Sequence, residues 1–167
     1  MIKVSIEEEY IEEVKRDLEN LEKNLNQMDA WKKEIEVLEE KINAYKNGGF
    51  GLGIQSNVTI TIDDIVDKDE TRLNTVKSNI EHTIYKLKEY KACLECLSDN
   101  EYGVINKRYL VAEYKNKSYD GIAKDMKFSK THISRLHDSA IKKIAEYKHR
   151  SVGIANMIRI GKDLGYE

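Results

Sequence analysis

The sequence predicts an all-α chain: a long N-terminal antiparallel pair of helices, coiled-coil in pattern, followed by a small domain of short helices. Three observations predict it. Proline, the residue that most often ends or kinks a helix, is absent from all 167 residues. Charged residues make up 35% of the chain and hydrophobic residues 40%. That is enough charge to solvate long helix faces and enough apolar side chain to argue against wholesale disorder. In the N-terminal half, apolar residues recur three and four positions apart, the period of a helical seam rather than of a strand.

The first element is expected from Ser5 to Lys46. Ser5-Ile6-Glu7-Glu8 has capping-box spacing, and Ile11, Val14, Leu18, Leu21, Leu25 and Met28 then alternate by three and four, a heptad seam. Met28 to Trp31 is a second consecutive step of three, a stammer, before the rhythm resumes through Ile35, Leu38, Ile42 and Tyr45. The alternative to one long helix is a break at Asn26-Gln27-Met28-Asp29, with Asp29 capping a new helix. One helix is the preferred reading. A Gly-rich connector at 47–53, Asn47-Gly48-Gly49-Phe50-Gly51-Leu52-Gly53, ends it, glycine supplying the left-handed C-terminal residue. Val58, Ile60 and Ile62 alternate with Thr59 and Thr61, which suggests a short strand or extended arm.

A second long helix is expected from Asp67, where Asp67-Lys68-Asp69-Glu70 offers another capping box. Its seam is Leu73, Val76, Ile80, Thr83, Leu87, Tyr90, Leu94 and Leu97. The two helices would be about 60 Å and about 45 Å long at 1.5 Å per residue. The longer one therefore overhangs, and dimerisation would cover its spare apolar positions; the seams close within one chain or between two. From Ser98 the elements shorten. Ser98-Asp99-Asn100-Glu101 is a capping box leading into Val104, Ile105, Arg108 and Tyr109. Glu113 to Lys117 is a polar connector, a helix follows from Ser118 to Met126, and another starts after Ser129 and passes Ile144. The domain plan is thus an acidic helical module over 1–97, a second domain over 98–150, and a tail over 151–167 with one further short helix at Ile154–Ile160.

Charge follows the same division. The net charge is −2 overall, but residues 1–47 carry −5, residues 48–97 carry −2 and residues 98–167 carry +5. Within 102–150 there are 12 basic and 5 acidic side chains. A basic module behind an acidic arm suggests an anionic partner for the former.

Tyr119–Asp138 fits the helix-turn-helix pattern. Ile122 supplies the first buried position, and Ala123 is small where two helices must cross closely. Met126 closes the first helix, Phe128 follows the turn, and Ile133 and Leu136 plug the second helix into the core. Lys127 stands where glycine is commonest, because that residue often takes positive φ. Ser129 is the natural N-cap of the second helix. That helix would lie in the major groove of double-stranded DNA, with Lys130, Thr131, His132, Ser134, Arg135 and Asp138 exposed. Arg135 is the candidate base reader, since a guanidinium pairs bidentately with guanine. Lys124, Lys127 and Lys130 are candidate phosphate contacts, and Ser118 and Tyr119, which open the first helix of the motif, are further candidate DNA contacts. Lys142, Lys143, Lys148 and Arg150 would extend the basic surface.

These residues carry a resemblance. Leu97 to Ile144 resembles the C-terminal (region four) domain of bacterial sigma factors. Val104-Ile105-Asn106-Lys107-Arg108-Tyr109 is similar to its first helix, and Ser118-Tyr119-Asp120-Gly121-Ile122-Ala123 to the opening of its helix-turn-helix. Ser129–Leu136 with Ala140-Ile141-Lys142-Lys143-Ile144 is similar to its recognition helix. The whole layout, acidic helices, glycine-rich connector and this small sigma-like helix-turn-helix domain, is similar to the ArpU/RinA-type late-gene regulators of phages in low-GC Gram-positive bacteria. The resemblance implies promoter-proximal DNA binding and activation of phage or prophage genes through RNA polymerase. No aromatic-rich promoter-melting module precedes Leu97, so autonomous sigma activity is not expected.

Other chemistry is thinly supported. Cys93 and Cys96 form a single CxxC on a helix, without the four ligands that zinc needs; packed or half-buried thiols are the simpler reading, and two cysteines make no disulfide framework. The glycine-rich connector lacks the Gly-Lys-Ser/Thr of a phosphate loop. Asp63, Asp64, Asp67, Asp69 and Glu70 lack calcium-loop spacing. His82 and His149 are isolated. No nucleophile–base pair can be nominated, so no enzyme, cofactor or metal is expected. The opening Met1–Ile6 is too short for a signal peptide, and no apolar run approaches a membrane span, which leads to the expectation of a cytoplasmic, nucleoid-associated protein. Two rival readings are a small terminase subunit, which would form a ring of many copies, and a coiled-coil adaptor that binds no DNA.

Overall fold

A computed structural model describes residues 6–48 and 61–163, with side chains over 8–48 and 61–149. Among the described residues the chain is helical without strands, as the seams and the missing prolines predict. Helix α1 spans Ile6–Lys46 and α2 spans Ile62–Leu94. The short α3, Asp99–Ile105, runs into a π-helical turn at Asn106–Leu110; α4 is Tyr119–Met126 and α5 is Lys130–Asp163. The described residues form two compact units, one within 6–25 and 86–163, the other within 26–48 and 61–85.

Helix α1 is continuous through the stammer. Asp29 does not cap a second helix there; its carboxylate lies 4.0 Å from Lys32, one turn further along. At the C-terminus Gly48 takes φ +69°, the left-handed conformation that closes a helix at little cost to glycine. The rest of the glycine-rich connector, the Ser5 capping box, and Val58 and Ile60 of the expected strand lie outside the described residues. Ile62, also placed in that strand, instead opens α2, which begins five residues before the expected Asp67 cap. The reason is a better cap upstream. Thr61 Oγ1 accepts from the Asp64 backbone N–H at 3.2 Å, and Asp64 Oδ2 accepts from the Thr61 N–H at 3.0 Å and its hydroxyl at 2.7 Å. That reciprocal pair satisfies donors at the helix start and leaves Asp67 inside the helix.

In the unit of residues 26–85 the seam residues Leu38, Ile42, Val76 and Thr83 are buried. Thr83 fits among apolar neighbours because its hydroxyl donates to the Asn79 carbonyl at 2.7 Å, which removes the cost of an unpaired buried polar group. Ion pairs edge the antiparallel seam: Glu34–Arg72 at 2.6 Å, Glu39–Lys77 at 2.7 Å, Lys41–Asp69 at 2.7 Å and Lys46–Glu70 at 2.6 Å. The acidic cluster of residues 63–70 is thereby divided between a helix cap and two lysine partners.

The other unit has a core that the sequence pattern alone does not assemble. Val14, Leu18 and Leu21 of α1 pack with Tyr90, Cys93 and Leu94 of α2, Ile105 and Tyr109, and Ala140, Ile141, Ile144 and Ala145 of α5. The overhang of α1 is therefore covered by α5 within the same chain, and its burial does not require a second copy. Tyr90 donates to Asp17 Oδ2 at 2.7 Å, and Lys148 reaches the same oxygen at 3.3 Å. Burial alone would raise the Asp17 pKa, but the Tyr90 hydroxyl with Lys148 and Lys86 holds the carboxyl below its ordinary value. Lys148, expected on the basic surface, is thus turned to α1 and α2. The segment 151–163 continues α5 rather than forming a separate short helix.

Candidate nucleic-acid interface

The helix-turn-helix is built around a small core of Val104, Ile122, Ala123 and Ile133, ringed by Tyr114, Tyr119, Met126, Phe128 and Leu136. Val104 faces this core, while its neighbour Ile105 belongs to the core of α1, α2 and α5. Helix α3 thus serves two packing surfaces at once. Its N-terminus is fixed by the expected capping box: Ser98 N–H donates to Glu101 Oε2 at 2.9 Å, and the Ser98 hydroxyl accepts from the Glu101 N–H at 3.4 Å.

Glu101 is buried, at 4% exposure, and its second function is to receive α5. Ser139 Oγ donates to it at 2.6 Å and Lys143 Nζ at 2.8 Å. Burial works to raise its pKa, but the hydrogen bonds from Lys143, Ser139 and Ser98 outweigh burial and hold the carboxyl at about 2. Lys143, expected to extend the basic surface, is drawn to Glu101.

Each cap of the motif forms where the side-chain types predict. Ser118 Oγ accepts from Gly121 N–H at 3.1 Å and starts α4; Ser129 Oγ accepts from His132 N–H at 3.1 Å and starts α5. Lys127 ends α4 in the left-handed region, φ 58° and ψ 39°, donating its N–H to the Ala123 carbonyl, with Phe128 N–H on the same oxygen at 3.0 Å. It is the only non-glycine residue of positive φ among those described. Gly121 is required for another reason. A Cβ there would stand 2.6 Å from both the Cβ and the carbonyl oxygen of Asn116, so the connector can cross α4 only where no side chain stands.

The surface this frame presents is basic. Lys124, Lys127, Lys130, Thr131, His132, Arg135 and Lys142 are exposed, as are the caps Ser118 and Ser129, and Ser134 is half-buried. Lys130 is held by Asp120 of α4 at 3.0 Å. The His132 ring stands edge-on to Phe128 with centroids 4.8 Å apart. Arg135 makes no hydrogen bond or ion pair among the described residues, so its guanidinium is available to a ligand. Tyr119 does not project to solvent as a simple contact residue: it is half-buried, with Arg108 over its ring at 4.6 Å and His137 edge-on at 5.5 Å.

Sequence reasoning missed a group behind this surface. Arg108 Nη1 donates to the Lys117 carbonyl at 2.9 Å and Nε to the Tyr109 hydroxyl at 3.3 Å. Tyr109 Oη lies 2.8 Å from Nε2 of the buried His137, whose Nδ1 is 3.3 Å from Asp138. Burial pushes the His137 imidazole below its ordinary value of 6.5, against the opposing pull of Asp138. A histidine at a position of apolar period on α5 was the available signal, and its partner could not be read without the fold. Burial also raises the thiols of Cys93 and Cys96, which leaves them little thiolate. No group of three or more His, Cys, Asp or Glu is placed to hold a metal among the described residues. None of the described helices is long and apolar enough to cross a membrane.

A short helix joined by a left-handed turn to a longer one, the second capped by serine and presenting an exposed basic face, defines a helix-turn-helix. The family model of sigma-70, region 4 matches residues 93–146. That segment, just under a third of the chain, is a sigma-region-four-like, DNA-binding helix-turn-helix. No curated protein and no solved structure matches the chain.

Proposed function

We propose that this protein is a sequence-specific transcriptional regulator of phage or prophage genes, similar to the ArpU/RinA type, that acts near promoters through residues 98–150. The observation that carries the reading is Arg135. It stands exposed and uncommitted on α5, within two turns of the Ser129 cap, in the segment that resembles sigma region four. There it would read a base edge while Lys124, Lys127 and Lys130, with Ser118, Ser129, Thr131, His132, Ser134 and Lys142, set the position on the backbone. Lys130 would exchange Asp120 for a phosphate, and Lys143 would add its charge from beside Glu101.

The N-terminal helices would supply self-association, giving a homodimer or higher homo-oligomer, or a contact to RNA polymerase. Val37 is 62% and Tyr85 67% exposed within residues 26–85. The reading places the protein in the bacterial cytoplasm, on the nucleoid, as a binding protein rather than an enzyme.

The test is selection of purified protein on sheared DNA from its own genome at about 150 mM salt, with Arg135→Ala alongside. Enrichment of a few promoter-proximal sites, lost in the variant, supports the regulator. Sites in or beside packaging genes, together with a ring of many copies by mass, support a small terminase subunit instead. No recovery at all overturns DNA binding and leaves the helical unit as the functional part.

A further inference from the structure

One side chain lies behind the candidate surface and ties its parts together. Arg108, half-buried in the π-helical turn, reaches the start of α4 directly and α5 through Tyr109. Its Nη1 holds the Lys117 carbonyl at 2.9 Å, one residue before the Ser118 cap of α4. Its guanidinium lies over the Tyr119 ring at 4.6 Å, the first residue of α4. Its Nε donates to Tyr109 Oη at 3.3 Å, which meets His137 of α5 at 2.8 Å. The π-turn is what permits this: the Val111 N–H bonds the Asn106 carbonyl five residues back, and the wider turn presents Arg108 and Tyr109 side by side to the motif.

The hydrogen bonds have a fixed direction. A carboxylate oxygen only accepts, so Asp138 Oδ1, 3.3 Å away, takes the proton of His137 Nδ1. With the buried ring neutral, Nε2 accepts from the Tyr109 hydroxyl, whose oxygen in turn accepts from Arg108. One chain of donors therefore runs from Arg108 to the helix that carries Arg135, while the same guanidinium clamps the start of the helix that carries Lys124. The turn at Lys127, the Lys130–Asp120 contact at 3.0 Å and the small core of Val104, Ile122, Ala123 and Ile133 also join α4 to α5, but none of them reaches behind both helices from α3 and the π-turn as Arg108 and Tyr109 do.

We propose that Arg108 is a positioning residue for sequence discrimination: it sets α4 and α5 against each other so that Arg135 meets base edges while the lysines meet phosphates. The proposal rests on the DNA-binding reading above. It differs from a direct role for Arg108 as a phosphate contact, and the two make opposite forecasts. A phosphate contact keeps most of its value when arginine becomes lysine, and its removal lowers the salt slope of binding by about one unit. A positioning guanidinium is not replaced by an ammonium, which has neither the planar fork nor the stacking face, and its loss leaves the salt slope unchanged.

The experiment compares wild type with Arg108→Lys, Arg108→Gln and Tyr109→Phe in the full-length chain. Titrations use the best duplex recovered in the genomic selection and a scrambled duplex of the same length, across a salt series. The readout is the ratio of the two affinities, which a partly unfolded sample does not change because the same folded fraction binds both duplexes. The expected result is a loss of about tenfold in that ratio for all three variants, comparable to one mismatched base pair, with the salt slope as in wild type. Tyr109→Phe keeps the buried ring and serves if the arginine variants do not fold. Wild-type discrimination in Arg108→Lys, or a salt slope reduced in Arg108→Gln alone, overturns the proposal in favour of a phosphate contact. If the wild type discriminates no duplex, the DNA-reading assignment fails first and this inference with it.

Discussion

Lys117 donates to the Glu22 carboxylate at 2.7 Å across a sequence separation of 95 residues. Both side chains are about three-quarters buried, and the backbone carbonyl of the same lysine receives Arg108. The connector that leads into the helix-turn-helix is thereby held from both sides, by α1 and by the π-turn. A double-mutant cycle of Glu22→Ala and Lys117→Ala should give a coupling of about 1 kcal/mol in chemical unfolding, at the upper end for partly exposed pairs. A coupling within error of zero would make the contact incidental.

Gly121 of α4 and Gly103 of α3 should respond differently to alanine. At Gly121 the new Cβ would meet the Cβ and carbonyl oxygen of Asn116 at 2.6 Å, and backbone must move, so Gly121→Ala should destabilise by about 2 kcal/mol. At Gly103 it would meet only the flexible end of Met126, at 3.1 Å, so Gly103→Ala should change stability by less than about 1 kcal/mol. Paired denaturation curves check the order, and equal losses would contradict the steric account.

Lys127 should be improvable. An L-residue in the left-handed region is strained by about 1 kcal/mol relative to glycine, and Lys127 sits at φ 58°. Lys127→Gly should therefore raise the unfolding free energy by about 0.5–1 kcal/mol while weakening DNA binding through the lost cation. A destabilised variant would show that the lysine side chain contributes more than its backbone costs.

Acid should loosen the contact between α3 and α5. The Glu101 carboxyl titrates at about 2 in the folded chain against an ordinary 4.5. A lowered carboxylate contributes stability that is complete above its ordinary value and is lost as pH falls through the folded value. The loss, about 2–3 kcal/mol, is expected between pH 4.5 and 2. His137, neutral when buried and lowered from 6.5, adds a loss that begins below that pH, because the unfolded imidazole takes up its proton first. Glu101→Gln should flatten the lower window and leave the upper one; unfolding curves at stepped pH distinguish them.

Arg135→Ala should reduce discrimination between DNA sites by about 1–3 kcal/mol, whereas Lys130→Ala should weaken binding alike on all sequences and lower the salt slope by about one unit. Filter binding on specific and scrambled duplexes over a salt series measures both. Equal losses on the two duplexes in both variants would show that the roles are misassigned.

Much of this was legible in the amino-acid order because it is local. The heptad seams, the Ser98, Ser118 and Ser129 caps and the left-handed Lys127 each depend on residues within a turn or two, where spacing and side-chain chemistry decide the outcome. The start of α2 was misplaced for a local reason as well: Thr61-Ile62-Asp63-Asp64 competes with Asp67-Lys68-Asp69-Glu70 as a cap, and the alternation around Ile62 suggested a strand. The candidate surface was readable too, since Lys124, Lys127, Lys130 and Arg135 fall on exposed positions of a motif with fixed spacing.

What only the tertiary structure decided is where distant segments meet. Heptads say that Val14, Leu18 and Leu21 must be buried, but an apolar stripe accepts any apolar partner, so the pattern cannot name α5 as the cover. The same holds for charge. Lys143 and Lys148 both carry the sequence signal of a basic surface, yet one lies against Glu101 and the other against Asp17, because an ammonium is committed by whichever carboxylate the fold brings within reach. Arg108, Tyr109 and His137 show it most plainly: a hydrogen bond is made by position, and residues 28 apart in sequence reach 2.8 Å only once the π-turn and α5 have packed.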